Sequence, residues 1–74
     1  MTTERPRKRS LTLKGHATSV SLEDPFWEEF VRLARDRGLS TNALASEMDA
    51  LRTPPASLAS AIRLFVLAEI KAGN

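Results

Sequence analysis

The sequence predicts a mainly α-helical fold with one short β element, assembled as a homodimer through intermolecular antiparallel strands. Three observations carry this reading. An alternating segment, Ala17 to Leu22, runs straight into an amphipathic segment that opens at Asp24-Pro25 and stops at Gly38. A lone strand cannot satisfy its own backbone donors and acceptors, so it needs a partner. The chain has only 74 residues, no cysteine and one histidine, His16. A domain of this size buries only ~60% of its unfolded surface. With no disulfide framework and no thiolate metal site to help, self-association is the remaining support.

The elements follow in order. Ser10 to Lys14 reads polar-Leu-polar-Leu-polar, a short strand pattern. Thr18, Val20 and Leu22 then alternate on one face. The apolar residues are odd-numbered before Gly15 and even-numbered after it, so one continuous strand cannot hold both sets on a single face. A bulge at Gly15-His16 resets the phase. So does a two-residue hairpin with Gly15 first in a type II′ turn, which sets Leu13 opposite Thr18 and Leu11 opposite Val20. A third solution has residues 10–14 crossing onto the other half of a dimer. All three stay open at this stage.

Asp24 is a good N-cap, Pro25 suits a first helical position, and Glu28 and Glu29 lie where the helix dipole favours anions. Phe26, Trp27, Phe30, Val31, Leu33 and Ala34 form a broad apolar stripe. Arg32 is spaced to pair with Glu28 and Asp36. Gly38 permits a left-handed cap. Ser40 or Thr41 caps a second helix to about Arg52, with Leu44, Met48 and Leu51 spaced i, i+4, i+7. Thr53-Pro54-Pro55 breaks it. Ser57 caps a third helix, Leu58 to about Lys71, apolar nearly all round and therefore expected at an interchain interface. The expected dimer core is Val20, Leu22, Trp27, Phe30, Leu44, Ile62 and Phe65.

The net charge of +2 is unevenly spread. Residues 1–16 hold five basic side chains against Glu4, a net +4, while residues 17–74 sum to −2. Low hydrophobicity and Pro6 amid charges read as a disordered basic arm over residues 1–9, followed by a folded domain over residues 10–74. A basic arm suits phosphate backbones, because neutralising phosphates releases condensed counterions. It reads equally as a solvated tail. No apolar run is long enough to span a membrane. No apolar core follows the charged start, as a secretory signal requires, and cytoplasmic residence is the expectation.

No catalytic constellation, metal site or cofactor site is visible, so an enzyme is not expected. His16 has no nucleophile or carboxylate near it in sequence and reads as a turn or surface residue. The junction Ser40-Thr41-Asn42 has a second reading beyond capping. A helix start presents unpaired N–H groups to an anion, and hydroxyl and amide side chains add bonds to phosphate oxygens.

The strand TSVSLE (Thr18–Glu23), the helix PFWEEFVRLARDRG (Pro25–Gly38) and the SxN cap at Ser40–Asn42 together resemble the ribbon-helix-helix family of Arc and MetJ type. RKRSLTLKGHATSVSLEDPFW and LASAIRLFVL look, more closely, like a proteobacterial subfamily with an extended amino-terminal segment and an extra carboxy-terminal helix. The resemblance implies a two-chain antiparallel ribbon that enters the major groove, with the second helix start holding phosphate. It implies a homodimer that binds double-stranded DNA and regulates transcription. With the charge of the arm added, the expected contacts are Arg5, Arg7, Lys8, Arg9 and Lys14 on the phosphate backbone, Ser19 and Ser21 at the groove, and Ser40, Thr41 and Asn42 on phosphate. Ala17, Ser19 and Ser21 are shorter than the long polar residues usual on the outer face of that ribbon. The alternative is a protein-interaction dimer, antitoxin-like or an adaptor, using the arm or the third helix for another protein.

Overall fold

The computed structural model describes residues 5–73. Its elements in chain order are β1 (Arg7–Leu13), β2 (His16–Leu22), α1 (Asp24–Asp36), α2 (Thr41–Leu51) and α3 (Leu58–Lys71). The two strands form an antiparallel hairpin, and the helices pack against one face of it.

The phase change at Gly15 is resolved by the hairpin, with a different turn from the one expected. Lys14 and Gly15 take φ of 52° and 81°. Positive φ at both central residues is the requirement of a type I′ turn, whose twist matches that of the flanking strands. The loop therefore sits one residue earlier than the type II′ placement. Leu13 pairs with His16, Leu11 with Thr18 and Arg9 with Val20. The register moves by two residues, an even step, so every side chain keeps its face. Leu11 is buried beside Val20 and Leu22, and Leu13 packs against the same core. β2 is thus not a lone strand, because β1 satisfies one of its edges within the chain.

β1 also begins earlier than expected. Arg7, Lys8 and Arg9 belong to the strand and not to a disordered arm. Residues 1–4 of that arm lie outside the described residues.

Helix α1 starts at its expected cap, one residue earlier than expected. Glu23 is the N-cap, by its extended backbone and without a side-chain bond. Asp24 is already helical, and its carboxylate is turned onto Arg9 and Arg7 of β1. At the other end Gly38 has φ 71°. Leu39 N–H donates to Ala34 O and Gly38 N–H to Arg35 O, both at 2.9 Å. That pair of bonds is a Schellman cap. Arg32 bridges Glu29 and Asp36 along the wet side. The caps of α2 and α3 are those expected: Ser40 Oγ accepts from Ala43 N–H at 3.0 Å and Ser57 Oγ from Ser60 N–H at 3.1 Å.

The core joins Leu11, Val20 and Leu22 of the sheet to Phe30, Leu33 and Ala34 of α1, Leu44, Ala45 and Met48 of α2, and Ile62 and Val66 of α3. Trp27 and Phe65 pack half-buried on either side of Phe30, with ring centroids 6.3 and 6.2 Å away. The seven side chains assigned to a dimer core thus meet within one chain. Helix α3 is not buried all round here. Ile62 and Val66 face inward, while Leu64, Leu67 and Ile70 are 66%, 48% and 47% exposed.

A Cβ at Gly15 would meet no atom within 4 Å. The cost of Gly15→Val is therefore backbone strain alone, roughly 1–3 kcal/mol for a β-branched residue at positive φ. Thermal melts at equal protein concentration should show a melting temperature lower by at least several degrees. An unchanged value would mean that the hairpin adds nothing to stability.

Candidate nucleic-acid interface

Strand alternation sorts the basic and polar residues onto two faces. The solvent face carries Lys8, Ser10 and Thr12 from β1 opposite Ser21, Ser19 and Ala17 from β2. All six are exposed. The face is flat and small, and Lys8 is its one long side chain. Hydroxyls this short make degenerate contacts at base edges, whereas discrimination comes from Arg, Lys, Asn and Gln reaching in with two bonds.

Arg9 falls on the core face and has a different role from the one implied. Its side chain is only 17% exposed. It donates to Leu22 O at 3.2 Å, is ion-paired to Asp24, and lies 5.5 Å from the Trp27 ring centre. These contacts tie β1 to the β2–α1 junction. Arg7, 70% exposed, reaches the same carboxylate from outside at 3.4 Å. Arg5, Arg7 and Lys8 therefore form a basic group at the open end of the hairpin, and Arg9 does not join it.

A second group lies nearer the turn. Lys14 is exposed at the loop. Asn42 Oδ1 accepts from the Thr12 backbone N–H at 3.1 Å, which seats the start of α2 beside β1. Ser40 Oγ is occupied by Ala43 N–H. The anion-facing donors of this turn are accordingly the backbone N–H groups of Thr41 and Asn42 and the Thr41 hydroxyl. The two groups are separated by the strand between Arg7 and Thr12, roughly 17 Å at the rise of an antiparallel strand.

Sequence reading missed three features. Asn42 binds the strand through its side-chain carbonyl. Arg63 donates to Ser21 O at 3.3 Å and to Glu23 Oε1 at 2.9 Å, and its guanidinium lies 6.0 Å from the Phe26 ring centre. The Arg63 hydrogen bond holds the Glu23 carboxyl below the usual glutamate range. A depressed carboxyl favours the fold above its unfolded pKa, and the contribution is lost as pH falls through the folded value. The third feature is a cleft of about 350 Å³ under the hairpin tip, bordered by Leu13, Lys14, His16, Thr18, Ser46 and Arg52. There Thr18 stands exposed on the core face of β2. None of these is carried by periodicity, because each depends on which side chain meets which strand edge. Among the described residues no group of three His, Cys, Asp or Glu side chains is placed to hold a metal. No helix there is long and apolar enough to cross a membrane.

The Arg9 contacts give a test. Arg9→Gln should destabilise the fold by roughly 2 kcal/mol, the scale of a hydrogen bond to a charged group. Lys8→Gln should leave stability within about 0.5 kcal/mol, as for an exposed substitution. Urea denaturation of both variants checks this, and equal effects would show that Arg9 is as free as Lys8.

No curated protein and no solved structure gives a significant match to the chain. A family model described as ribbon-helix-helix domain matches residues 6–70. The match runs from the residue before β1 to the last turn of α3, and so takes in the hairpin and the third helix as well as the strand-helix-helix unit. The chain belongs to the ribbon-helix-helix family.

Proposed function

We propose that the protein is a DNA-binding homodimer that regulates transcription and holds DNA mainly by its phosphates. Ribbon-helix-helix domains are generally DNA-binding regulators or antitoxins, and members typically act as dimers. The observation that carries the reading is the pairing of two cationic or N–H-rich groups, Arg5-Arg7-Lys8 and Lys14 with the first turn of α2, on either side of a flat serine face. Ser19 and Ser21 approach the duplex without selecting bases.

A magnitude argues against groove insertion. If two chains join through their strands, the sheet has four strands. Four strands span roughly 14 Å between outer axes, before side chains are added, against a major groove about 12 Å wide. The sheet then lies across the groove, and phosphates supply the affinity. No cofactor and no enzymatic activity enter this reading, and the working location is the cytoplasm.

A second reading has a specific observation behind it. Leu64, Leu67 and Ile70 lie exposed along α3, and Leu51 at the end of α2 is 74% exposed. An antitoxin-like or adaptor dimer would use that apolar surface for another protein.

A salt titration on random duplex DNA separates the two. The phosphate reading expects the logarithm of affinity to fall linearly with the logarithm of salt. The triple variant Arg5→Gln, Arg7→Gln, Lys8→Gln should bind more weakly and with a shallower slope, by roughly 0.9 for each phosphate no longer neutralised. An unchanged slope would remove this group from the interface. No binding at moderate salt by the unaltered protein would favour the protein-interaction dimer.

A further inference from the structure

We infer that the cleft under the hairpin tip is a binding site for a small organic anion, and that its occupant competes with DNA for Lys14. The site stands without the DNA reading above, and the competition rests on it.

The cleft lies where three elements meet. The hairpin tip forms one wall, the second half of α2 another, and the start of α3 the third. Its volume of about 350 Å³ is at the lower end of ligand pockets, which run from ~300 to ~1,000 Å³.

The charges around it favour an anion. Lys14 and Arg52 border the cleft, with His16 beside them. Among the described residues that line it, Asp49 is the one acid, and its carboxylate accepts from Arg52 Nε at 2.7 Å. A second bond, from Arg52 Nη1 to Ala56 O at 3.0 Å, holds the guanidinium in place. Its Nη2 donates to nothing among the described residues. A planar guanidinium fixed in this way is pre-organised, so it loses little freedom in taking a further acceptor.

Two hydroxyls agree with this. Thr18 holds a core-face position of β2, two residues from Val20, yet stands exposed. Ser46 is half-buried in the middle of α2. Neither hydroxyl has a hydrogen-bond partner among the described residues. Both line the cleft, so a large apolar residue at either position would fill part of it. Leu13 and Leu58 add apolar wall. Inorganic phosphate would satisfy the cations and leave that wall uncovered. The ligand that matches is a carboxylate or phosphate carried on a small apolar body.

In the DNA reading Lys14 also faces phosphate, together with the first turn of α2. An ammonium paired with the ligand no longer neutralises a DNA phosphate, and the ligand brings negative charge of its own to that end of the hairpin. Each partner then lowers the affinity of the other by the same factor.

The test is a nuclear magnetic resonance titration of the isotope-labelled protein with phenyl phosphate and, separately, with benzoate. Either should move the amide signals of Lys14, His16, Thr18 and Ser46 to saturation, and the tighter of the two identifies the head group. Benzyl alcohol lacks the charge and inorganic phosphate lacks the ring, so both should bind more weakly. Lys14→Asn removes a charge and keeps a residue suited to a type I′ turn. Ser46→Leu fills the cleft with a good helix former. Each should weaken binding by roughly tenfold or more, the scale of a lost hydrogen bond to a charged group. Lys71→Gln, outside the cleft, should bind as the unaltered protein does. No saturable shift with any probe, or an equal loss in Lys71→Gln, would overturn the site. If no probe binds and the two cleft variants change the assembly state, the cleft is a contact between chains and the proposal falls. For the competition, the tighter probe at constant ionic strength should weaken duplex binding by the unaltered protein and leave that of Ser46→Leu unchanged. Equal effects on both would overturn the competition alone. Absence of duplex binding at moderate salt would end the DNA reading, while the titration still decides the site.

Discussion

The reversal of the chain at Lys14-Gly15 is the constraint on which the rest of the structure depends. Without it, the two leucines of the first segment would face away from Val20 and Leu22. With it, the core-facing positions of β1 are set above the helices, and two of them, Leu11 and Leu13, add apolar contact. The same reversal fixes what becomes of the basic residues. Odd positions of β1 turn inward, so Arg9 meets Asp24, Leu22 O and Trp27, while Lys8 one residue away remains in water. Parity separates Lys8 from the two arginines, and position along the strand separates the arginines, since Arg7 at the open end is 70% exposed and Arg9 only 17%.

Arg9 also accounts for the start of α1. Asp24 is well suited to cap a helix, yet Glu23 occupies the cap position with no side-chain bond. At the cap position the Asp24 carboxylate would meet the partial charge of backbone N–H groups, whereas here it meets the full positive charges of two guanidinium groups. A local signal is overridden by a contact between residues 15 apart in sequence. Arg63 works in the same way from α3, where it joins Glu23, Ser21 O and Phe26 across some 40 residues.

Much of the fold was legible because it is written in short-range signals. The three helices, their stops at Gly38 and Thr53-Pro54-Pro55, and the caps at Ser40 and Ser57 all follow from residues within a few positions of one another. The reset at Gly15 was legible as well, since period-two alternation leaves a clear mark when its phase flips. The turn type was not, because Lys14 gives no sign that it will accept a positive φ. The candidate site was less legible for the same reason the fold was more so. Arg9, Asn42 and Arg63 act over 13 to 42 residues of separation, and no local pattern distinguishes a cation that binds phosphate from one that anchors a strand.

This changes what the arm and the α2 start contribute as a pair. A side-chain carbonyl of Asn42 committed to Thr12 N–H is no longer a group aimed at phosphate, but it holds α2 against the strand. The backbone N–H groups of Thr41 and Asn42 are thereby fixed relative to β1, and with them the distance to the basic group at Arg5, Arg7 and Lys8. In the proposed reading, two anion-attracting groups at a fixed spacing on the hairpin would match the geometry of a phosphate backbone, not the order of its bases. The serine face between them fits that role. Long side chains on that face would meet no obstacle within the chain, so packing does not require serine there. In the proposed reading, what short side chains permit is close approach of the sheet to a broad, polar surface, with each end of the hairpin carrying the charge that would draw it in.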